Sequence, residues 1–575
     1  MQRPDNAVDP SSIRLDVTSG DDPSRIWLPE VVHRLAGFLT GNELACTLRQ
    51  VNKATAAQFR APQHTAVRLD QPVPHHAFAW RWGGPHATRG LTVRQRKQLP
   101  CLTARSSSIA NLQVLLARDD LTSPLDAAVL AAAAGDGQLE VCLWLTQQGC
   151  PCDETALHAA AGGGHKEVCE WLAAEGYPCS IELSWHAAAG GHQALCEWLL
   201  ANGGQVDMKA AAAAARGGHV GLMDWLLTRT GAIPDVRALL QAAATGCDLP
   251  TLQRLHHTYL GSRGAELHPP ENEQVLAAAA GSPVADWRRM VEWLERRGYP
   301  RTELGCTEAA RRTDGRDRLR WLQKRGYPLT GAAARAAVQH GNAEALEFVL
   351  AQGVQLDEAM AGAASFDAAR GGHLAALKVL HAHAYTGSVC YTTAAAVAAR
   401  GHLPVVAWLV EALGAGAVLT ADLPAMAAMS GNAGLLAWLH EHGCPWDANV
   451  FAAAARAGSE EQLEWLAERG CPMGDDGEPY RRALPNSDLA TLRCLRRLGC
   501  LWGPVGRTFT CAVRLSCGQR SNSTSAFGRR QALLALPWLV AQGCPVCWVA
   551  AEREAAEWGD SEVLAWVRER RPKAA

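Results

Sequence analysis

The sequence predicts an all-α fold, a curved stack of about 15 short helical hairpins preceded by a small helical module. Three observations support this prediction. The 575 residues include 20 tryptophans against 8 phenylalanines and 7 tyrosines, and eleven tryptophans recur in one local context. The first four of these are 27 residues apart, and neighbouring later ones are 27 to 30 apart. The same Gly-Cys-Pro or Gly-Tyr-Pro stop recurs along the chain. A fixed period of this size is typical of an array of stacked units.

The recurring tryptophans are predicted to form the core of the repeats. In an amphipathic helix, a periodic Trp-Leu pair is far more often core than ligand site. Ten of the eleven precede a leucine: Trp144, Trp171, Trp198, Trp225, Trp293, Trp321, Trp408, Trp438, Trp465 and Trp538. The eleventh, Trp566, precedes Val567.

The cleanest copy of the unit, residues 153–179, predicts a helical hairpin. N-cap residue types precede an alanine-rich stretch that favours helix, and the glycine run at 162–164 permits a tight reversal. In the second helix Val168, Trp171 and Leu172 form one apolar stripe. Helices of about 8 to 11 residues are marginal alone in water, so the hairpins must stack on one another.

Two segments of this unit match a known repeat. The letters TALH at 155–158 and GHKEVCEWL at 164–172 resemble the opening and the core of the ankyrin repeat. The resemblance covers about 480 of the 575 residues. It departs from the family in its period, which is shorter than the usual repeat of about 33 residues and implies a shortened turn between units. It implies an array that binds a protein partner on its concave surface.

Residues 26–60 predict three small helices, too few to hold an independent core easily. LPE at 28–30, the apolar residues within 35–39 and VNK at 51–53 resemble the F-box, although one residue is missing before the acidic position and the usual later aromatic is absent. The resemblance implies docking on the Skp adaptor of a cullin–RING ubiquitin ligase. The residues expected to bind the adaptor are Leu28, Pro29, Val32, Leu35 and Leu39. The alternative is a bundle that caps the array.

The remaining segments complete the predicted organisation. Residues 1–25 contain no apolar segment of a secretory signal and are predicted to be a disordered tail. Residues 61–93 fit neither pattern and are interpreted as an ordered connector. The repeat array is predicted over 94–575, with an inserted loop at about 501–530, where serine, asparagine, glycine and arginine are abundant.

Composition limits the classes of partner. Lys plus Arg total 55 and Asp plus Glu total 57, a net charge of −2. This balance gives no general field for phosphate backbones, so we expect no nucleic-acid partner. No apolar run reaches the roughly 18 residues that span a bilayer, so we expect no membrane association. Nineteen cysteines without a secretion signal favour free thiols and a cytoplasmic or nuclear location. We expect a monomer.

No pattern indicates catalysis, a metal or a cofactor. The chain contains no Walker loop, dinucleotide fingerprint or His-Glu-x-x-His motif. The recurring Gly-His histidines fall one per layer, roughly 8–10 Å apart, whereas a zinc ion needs its ligands near 2 Å. We expect them to bond backbone at the start of the second helix. A zinc or thiol enzyme that uses Cys511, Cys517, Cys544 and Cys547 is a remote alternative.

The sequence therefore favours a non-enzymatic adaptor. The array would bind a protein, and the N-terminal module would deliver it to a ubiquitin ligase; the alternative is an ankyrin-repeat scaffold with no ubiquitin role. Aromatic residues that break the repeat pattern are candidates for partner binding. They are His158, Tyr177, Trp185, Tyr299, Tyr327 and Trp446.

Overall fold

The computed structural model describes residues 27–118, 120–121, 125–229, 235–261, 269–385, 391–517 and 535–572. These residues form helices and turns and contain no strand, which confirms the all-α prediction. The tail predicted over residues 1–25 lies outside the described ranges. No helix in those ranges is both long and apolar enough to cross a membrane.

The chain divides into two compact units, one ending at Phe78 and the other beginning at Ala79. The module predicted over 26–60 is thus part of a somewhat longer unit. The elements of the first unit are α1 (Pro29–Ala36), α2 (Gly41–Cys46), a 3-10 turn (Leu48–Gln50), α3 (Lys53–Gln58), α4 (Pro62–Thr65) and the start of α5 (His75–Trp82).

Local sequence explains where the first two helices of this unit begin. Pro29 is at the start of α1, where its missing N–H has no helical partner to lose. Thr40 and Glu43 form a capping box at the start of α2, in which each side chain bonds the other's backbone N–H. The buried Asn42 amide donates to the carbonyl of Arg68 at 2.7 Å, and its oxygen accepts from the Arg68 N–H at 2.9 Å. This side chain ties the segment after α4 to the module.

The second unit is an array of helix pairs, sixteen within the described residues. In chain order they are α6 (Val93–Arg105) and α7 (Ile109–Leu116), α8 (Ala127–Gly135) and α9 (Leu139–Gln147), α10 (Glu154–Gly163) and α11 (Lys166–Ala174), α12 (Ile181–Ala189) and α13 (Gln193–Ala201), α14 (Met208–Arg216) and α15 (Val220–Leu227), α16 (Val236–Gly246) and α17 (Leu249–His256), α18 (Pro269–Gly281) and α19 (Trp287–Arg296), α20 (Glu303–Ala310) and α21 (Gly315–Lys324), α22 (Gly331–Gln339) and α23 (Ala343–Ala351), α24 (Glu358–Gly371) and α25 (Leu374–Ala382), α26 (Tyr391–Ala399) and α27 (Leu403–Leu413), α29 (Leu423–Ser430) and α30 (Ala433–Glu441), α31 (Ala448–Ala457) and α32 (Glu460–Glu468), α33 (Glu478–Ala483) and α34 (Leu489–Arg497), α35 (Arg507–Ser516) and α36 (535–541), and α37 (Trp548–Trp558) and α38 (Ser561–Arg570). Three short elements accompany these pairs: α28 (Ala415–Val418), a π turn (His257–Gly261) and a 3-10 turn (Leu484–Asn486).

The first helices of successive pairs pack directly on one another along the array. Alanine permits this close approach, because a methyl group adds little width to a helix. In α14, for example, Ala210, Ala211 and Ala214 are fully buried. The second helices supply the larger apolar residues that fill the space between layers, such as Leu172 and Leu199. The predicted hairpin array is confirmed.

The turn between the two helices of a pair contains a glycine that interlocks with the next pair. Gly164 has a φ of 78°, the left-handed region that favours glycine. A Cβ at this position would collide with the imidazole of His192 in the following hairpin. The same relation holds between Gly191 and His219. The glycine is therefore required by its backbone angle and by the close approach of the neighbouring side chain.

The side chain that packs against this turn also donates a hydrogen bond to a backbone carbonyl of the preceding hairpin. Nε2 of His165 donates to the carbonyl of Gly135 at 3.0 Å, and Nε2 of His192 donates to that of Gly162 at 3.1 Å. Asn432 replaces the histidine in its repeat and donates to the carbonyl of Gly401 at 2.8 Å. The prediction that these histidines bond backbone at the start of the second helix is thus wrong. These side chains bond the end of the preceding hairpin's first helix, where carbonyls lack helical partners.

The predicted tryptophan core needs a correction. All eleven recurring tryptophans are partly buried and pack against the core from its edge. The fully buried residues of the second helix are their neighbours, as Val168, Cys169 and Leu172 show around Trp171.

Arginines cover the other side of several of these indoles. In five repeats an arginine four residues after the tryptophan places its guanidinium over the ring, one helical turn further on. The distances from guanidinium carbon to ring centroid are 4.0 Å for Arg229 on Trp225, 5.0 Å for Arg297 on Trp293, 4.8 Å for Arg325 on Trp321, 4.4 Å for Arg469 on Trp465 and 4.6 Å for Arg570 on Trp566.

The inserted loop predicted over 501–530 is wrong in its first half. Residues 507–516 form α35, the first helix of a repeat, and Phe509 and Val513 are fully buried in it. Residues 518–530 lie outside the described ranges. The serine- and glycine-rich sequence on which the loop prediction rested begins only after this helix.

We expect Gly164→Ala to destabilise the array more than Gly176→Ala does. Both glycines have positive φ values, 78° and 95°, so a side chain costs about 1–2 kcal/mol at either position. Only at Gly164 does the new Cβ also collide with His192. Urea unfolding followed by tryptophan fluorescence compares the two variants. The combined variant Gly164→Ala/His192→Ala should recover part of the loss. Equal midpoints for the two single variants would contradict the interlock.

Candidate partner-binding sites

The first unit presents an exposed apolar face on α1 and its flanks. Leu28 is 50% exposed, Leu35 43% and Phe38 87%, and Trp27 and Val31 are exposed beside them. Large apolar side chains exposed together are uncommon on a soluble monomer and are typical of an interaction surface. We name these five residues the α1 face.

The α1 face includes only part of the set predicted to bind an adaptor. Leu28, Pro29 and Leu35 are exposed, and Leu39 is partly buried. Val32 is wrong as a contact residue because it is 1% exposed and packs with Leu44, Leu48 and Phe59 in the small core. The sequence predicted one apolar face for α1, whereas the helix presents Val32 inward and its neighbours outward.

Two of the aromatic candidates in the array are not available to a partner. Tyr299 and Tyr327 are buried in the core of the second unit, which corrects their assignment as binding residues. Burial raises the pKa of Tyr299 to about 12. Burial, followed by the neighbouring Glu295 carboxylate, raises the pKa of Tyr327. Each tyrosine follows the glycine that ends a second helix, and there it fills the layer between repeats.

The other four aromatic candidates are partly buried and mostly connect neighbouring repeats. The Tyr177 hydroxyl donates to the carbonyl of Cys152 at 3.0 Å, and the ring of His158 stacks on that of His186 at 5.1 Å. The two tryptophans behave similarly. Nε1 of Trp185 donates to Asp207 at 2.7 Å, and the Trp446 ring stacks on His440 at 3.9 Å. These contacts give all four residues a structural role.

The array curves back so that its first hairpin meets much later ones. Arg96 on α6 is 4% exposed and pairs with the equally buried Asp488 at 2.5 Å, across 392 residues of sequence. The same guanidinium donates to the carbonyls of Leu91 and Gly458, both at 2.7 Å. Val93 occupies the space beside Gly458, and Thr92 that beside Gly431. We call this set of contacts the clasp.

A second, more exposed group of charges lies beside the clasp. Arg89 pairs with Glu464, and Arg497 pairs with Glu464 at 2.5 Å and with Glu460 at 3.2 Å. The two carboxylates and the Cys494 thiol bring their ligand atoms within 4.8 Å of one another, a spacing that could suit a metal ion. The two arginines already neutralise these carboxylates, so the group fits a charge network better than a metal site.

A cavity of about 620 Å³ opens next to the clasp, between α6 and the ends of later first helices. Arg94 and Lys97 line it from α6, Arg400 from the residue that follows α26, and Arg456 from the end of α31. Among the described residues, Asp126 is the one carboxylate on its wall. The cavity was not predicted, because its two walls are about 300 residues apart in the chain. A run of cations in the first turns of α6, VRQRK at 93–97, was the available signal.

The described cysteines are free thiols, and most of them are buried packing residues. Burial raises the pKa of Cys142 and Cys169 to about 12 and that of Cys196 to about 11, from an ordinary value near 9. The same cause raises the pKa of Cys517 to about 11 and of Cys544 to about 12. Thiols of this kind are poor nucleophiles. Within the described ranges the structure does not gather the four C-terminal cysteines into a metal site.

Comparison with known families and curated proteins supports the repeat assignment for part of the chain. The family model "Ankyrin repeats (3 copies)" matches residues 128–209, which run from α8 into α14. No curated protein matches the sequence. The ankyrin resemblance is thus shown for the most regular repeats, and the F-box resemblance has no such support.

Among solved structures, the chain is similar to other helical repeat proteins. The pentatricopeptide repeat protein PPR10 from maize is 12% identical, with 94% of this chain and 97% of that chain covered and a TM-score of 0.24. Two structures of PPR10 in complex with an 18-nt psaJ RNA element are also 12% identical and have a TM-score of 0.26. They cover 94% of this chain and 90% of those chains.

The expectation of no nucleic-acid partner is corrected, because the net charge on which it rested does not exclude such a partner; two of the similar structures are RNA complexes. Net charge is a sum over the whole chain, and it does not describe the charge of one surface. In this protein, four cations line one cavity although the net charge is −2. The exclusion is therefore withdrawn.

We expect Arg96→Ala to destabilise the array by about 3–5 kcal/mol, because it leaves the Asp488 carboxylate buried without its cation. Arg89→Ala is the matched control, because it removes a more exposed ion pair and should cost at most about 1 kcal/mol. Hydrogen exchange at α6 and α34 measures the local effect, and small-angle scattering should show an enlarged radius of gyration for Arg96→Ala only. Identical results for the two variants would contradict the clasp.

The buried thiols predict a loss of stability at alkaline pH. The folded protein holds these protons up to about pH 11–12, whereas the unfolded chain releases them near pH 9. Their contribution is therefore complete below about pH 9 and is lost as the pH rises toward 12. Urea unfolding between pH 8 and 10.5 should show this decline. The variant Cys142→Ala/Cys169→Ala/Cys196→Ala should show a shallower one, and an unchanged slope would contradict the assignment.

Proposed function

We propose that the protein is a substrate-recruiting adaptor of a Skp–cullin–F-box ubiquitin ligase. In this proposal the first unit docks on a Skp-type adaptor and the array binds the protein to be delivered. The helical repeat fold is that of a binding scaffold, and the three matched ankyrin repeats support protein–protein interaction. The free thiols favour action in the reducing environment of the cytoplasm or nucleus.

The exposed α1 face carries the adaptor half of the proposal. A unit of this size buries only a few apolar residues, namely Val32, Leu44, Leu48 and Phe59 as its main core. Its largest remaining apolar side chains point outward, with Phe38 87% exposed. The F-box resemblance implies a helical module that presents apolar residues to its adaptor, and the α1 face provides such residues.

An ankyrin-repeat scaffold with no ubiquitin role is the alternative. It predicts the same array and the same captured protein, but no Skp-type adaptor on the first unit. The two proposals differ only in the partner of the α1 face, so a direct binding assay on that face distinguishes them.

We expect Leu28→Ala/Leu35→Ala to abolish binding of purified Skp-type adaptor, measured by pull-down and by calorimetry. Both residues are exposed, so the far-ultraviolet circular dichroism of the variant should match that of the wild type. The matched control is Leu501→Ala/Val505→Ala, which removes two apolar residues of the array that are exposed even more than Leu28 and Leu35. Wild-type protein that binds no Skp-type adaptor would contradict the ligase proposal and leave the scaffold.

A further inference from the structure

The cavity beside the clasp has a strongly unbalanced charge. In the described part of the chain, its wall carries the cations Arg94, Lys97, Arg400 and Arg456 and one carboxylate, that of Asp126. All four cations are exposed, and none has an acidic partner in the part of the chain that the structure describes. In contrast, other exposed arginines of the array form ion pairs, as Arg254 does with Asp224 at 2.8 Å. The free protein therefore gathers like charges that repel one another.

Two of these cations lie near the N-terminal end of α6, whose first turn has no acidic residue. Arg94 is the second residue of this helix and Lys97 the fifth. The N-terminal end of a helix carries partial positive charge and disfavours a cation in its first turn, where Arg94 lies. Arg400 and Arg456 lie at the opposite ends of their helices, where a cation is favourable. The α6 cations thus have no local reason in the fold, and an anionic ligand in the cavity supplies one.

The walls suit a peptide better than a nucleic acid. Between the cations the lining consists of small and polar side chains, including Ala128, Ala399, Ser430 and Asn486, together with Met429. None of the described residues that line the cavity is aromatic. Proteins that bind single-stranded nucleic acid generally stack bases on aromatic rings. An extended acidic peptide needs only cations for its carboxylates and small apolar surfaces for its backbone.

We propose that this cavity binds an acidic segment of a partner protein, rich in aspartate or glutamate. The inference rests on the proposed recruiting function and names the chemistry of the recruited segment. The site exists only when the clasp is closed, because α6 forms one wall and the ends of α26 and α31 form the other. Recognition is thereby coupled to the integrity of the whole array.

Fluorescence anisotropy of the purified full-length protein with a labelled peptide of alternating glutamate and serine tests the proposal. We expect binding that weakens as salt rises, because exposed charges are screened beyond about 8–10 Å near physiological ionic strength. The same peptide with glutamine in place of glutamate should not bind. Equal binding of the two peptides would overturn the proposal, as would no binding of the acidic one.

Variants locate the site. Arg94→Gln/Lys97→Gln and Arg400→Gln/Arg456→Gln should each weaken peptide binding about fivefold to tenfold. Arg216→Gln/Arg370→Gln is the matched control. It removes two exposed arginines from the ends of other first helices, neither of which lines the cavity. This control should leave the affinity unchanged. An equal loss in the control would overturn the location.

Two further measurements separate this inference from its alternatives. An oligouridylate RNA that binds at the cavity while the acidic peptide does not would assign the site to nucleic acid and overturn the peptide. Adaptor binding by the α1 face is measured on the same protein samples. A wild-type protein that binds the adaptor but not the acidic peptide would therefore refute the peptide site alone. A wild-type protein that binds the acidic peptide but not the adaptor would refute the ligase role alone.

Discussion

The array depends on the contact between a turn glycine and the polar side chain of the next hairpin. Its helices are too short to be stable alone, and each first helix ends in carbonyls that lack partners. His192 fills the space above Gly164 and bonds the carbonyl of Gly162 in one contact. Register, spacing and hydrogen bonding between layers are thereby fixed together.

The sequence predicted the array well because its determinants are local and repeated. Alanine-rich first helices, glycine turns and the stripe around Trp171 all recur at a visible period. The exact burial of the tryptophans was not predictable, since periodicity shows which face a residue shares but not how closely two layers approach. The prediction that Tyr299 and Tyr327 bind a partner was wrong for the same reason. Both were selected as departures from the repeat sequence, yet both are buried between layers of the array.

The candidate sites were predictable only in part. Leu28 and Leu35 could be found from a helix pattern, but that pattern could not separate the buried Val32 from its exposed neighbours in so small a unit. The basic cavity was not predicted, because the run of cations at 93–97 marks only one of its walls, and the other wall is about 300 residues later in the chain. Net charge concealed it as well, since acidic residues elsewhere offset the four cations of the cavity.

The clasp also sets an order of events during synthesis. Within the described residues, contacts between successive hairpins join residues about one repeat apart, so these contacts can form as the chain emerges from the ribosome. The ion pair of Arg96 can form only after Asp488, which is 392 residues later in the chain, has been synthesised. At about 5–20 residues per second this interval lasts roughly 20 to 80 s. During that time the N-terminal hairpin can pack on its neighbour, whereas the clasp can form only after Asp488 has been synthesised.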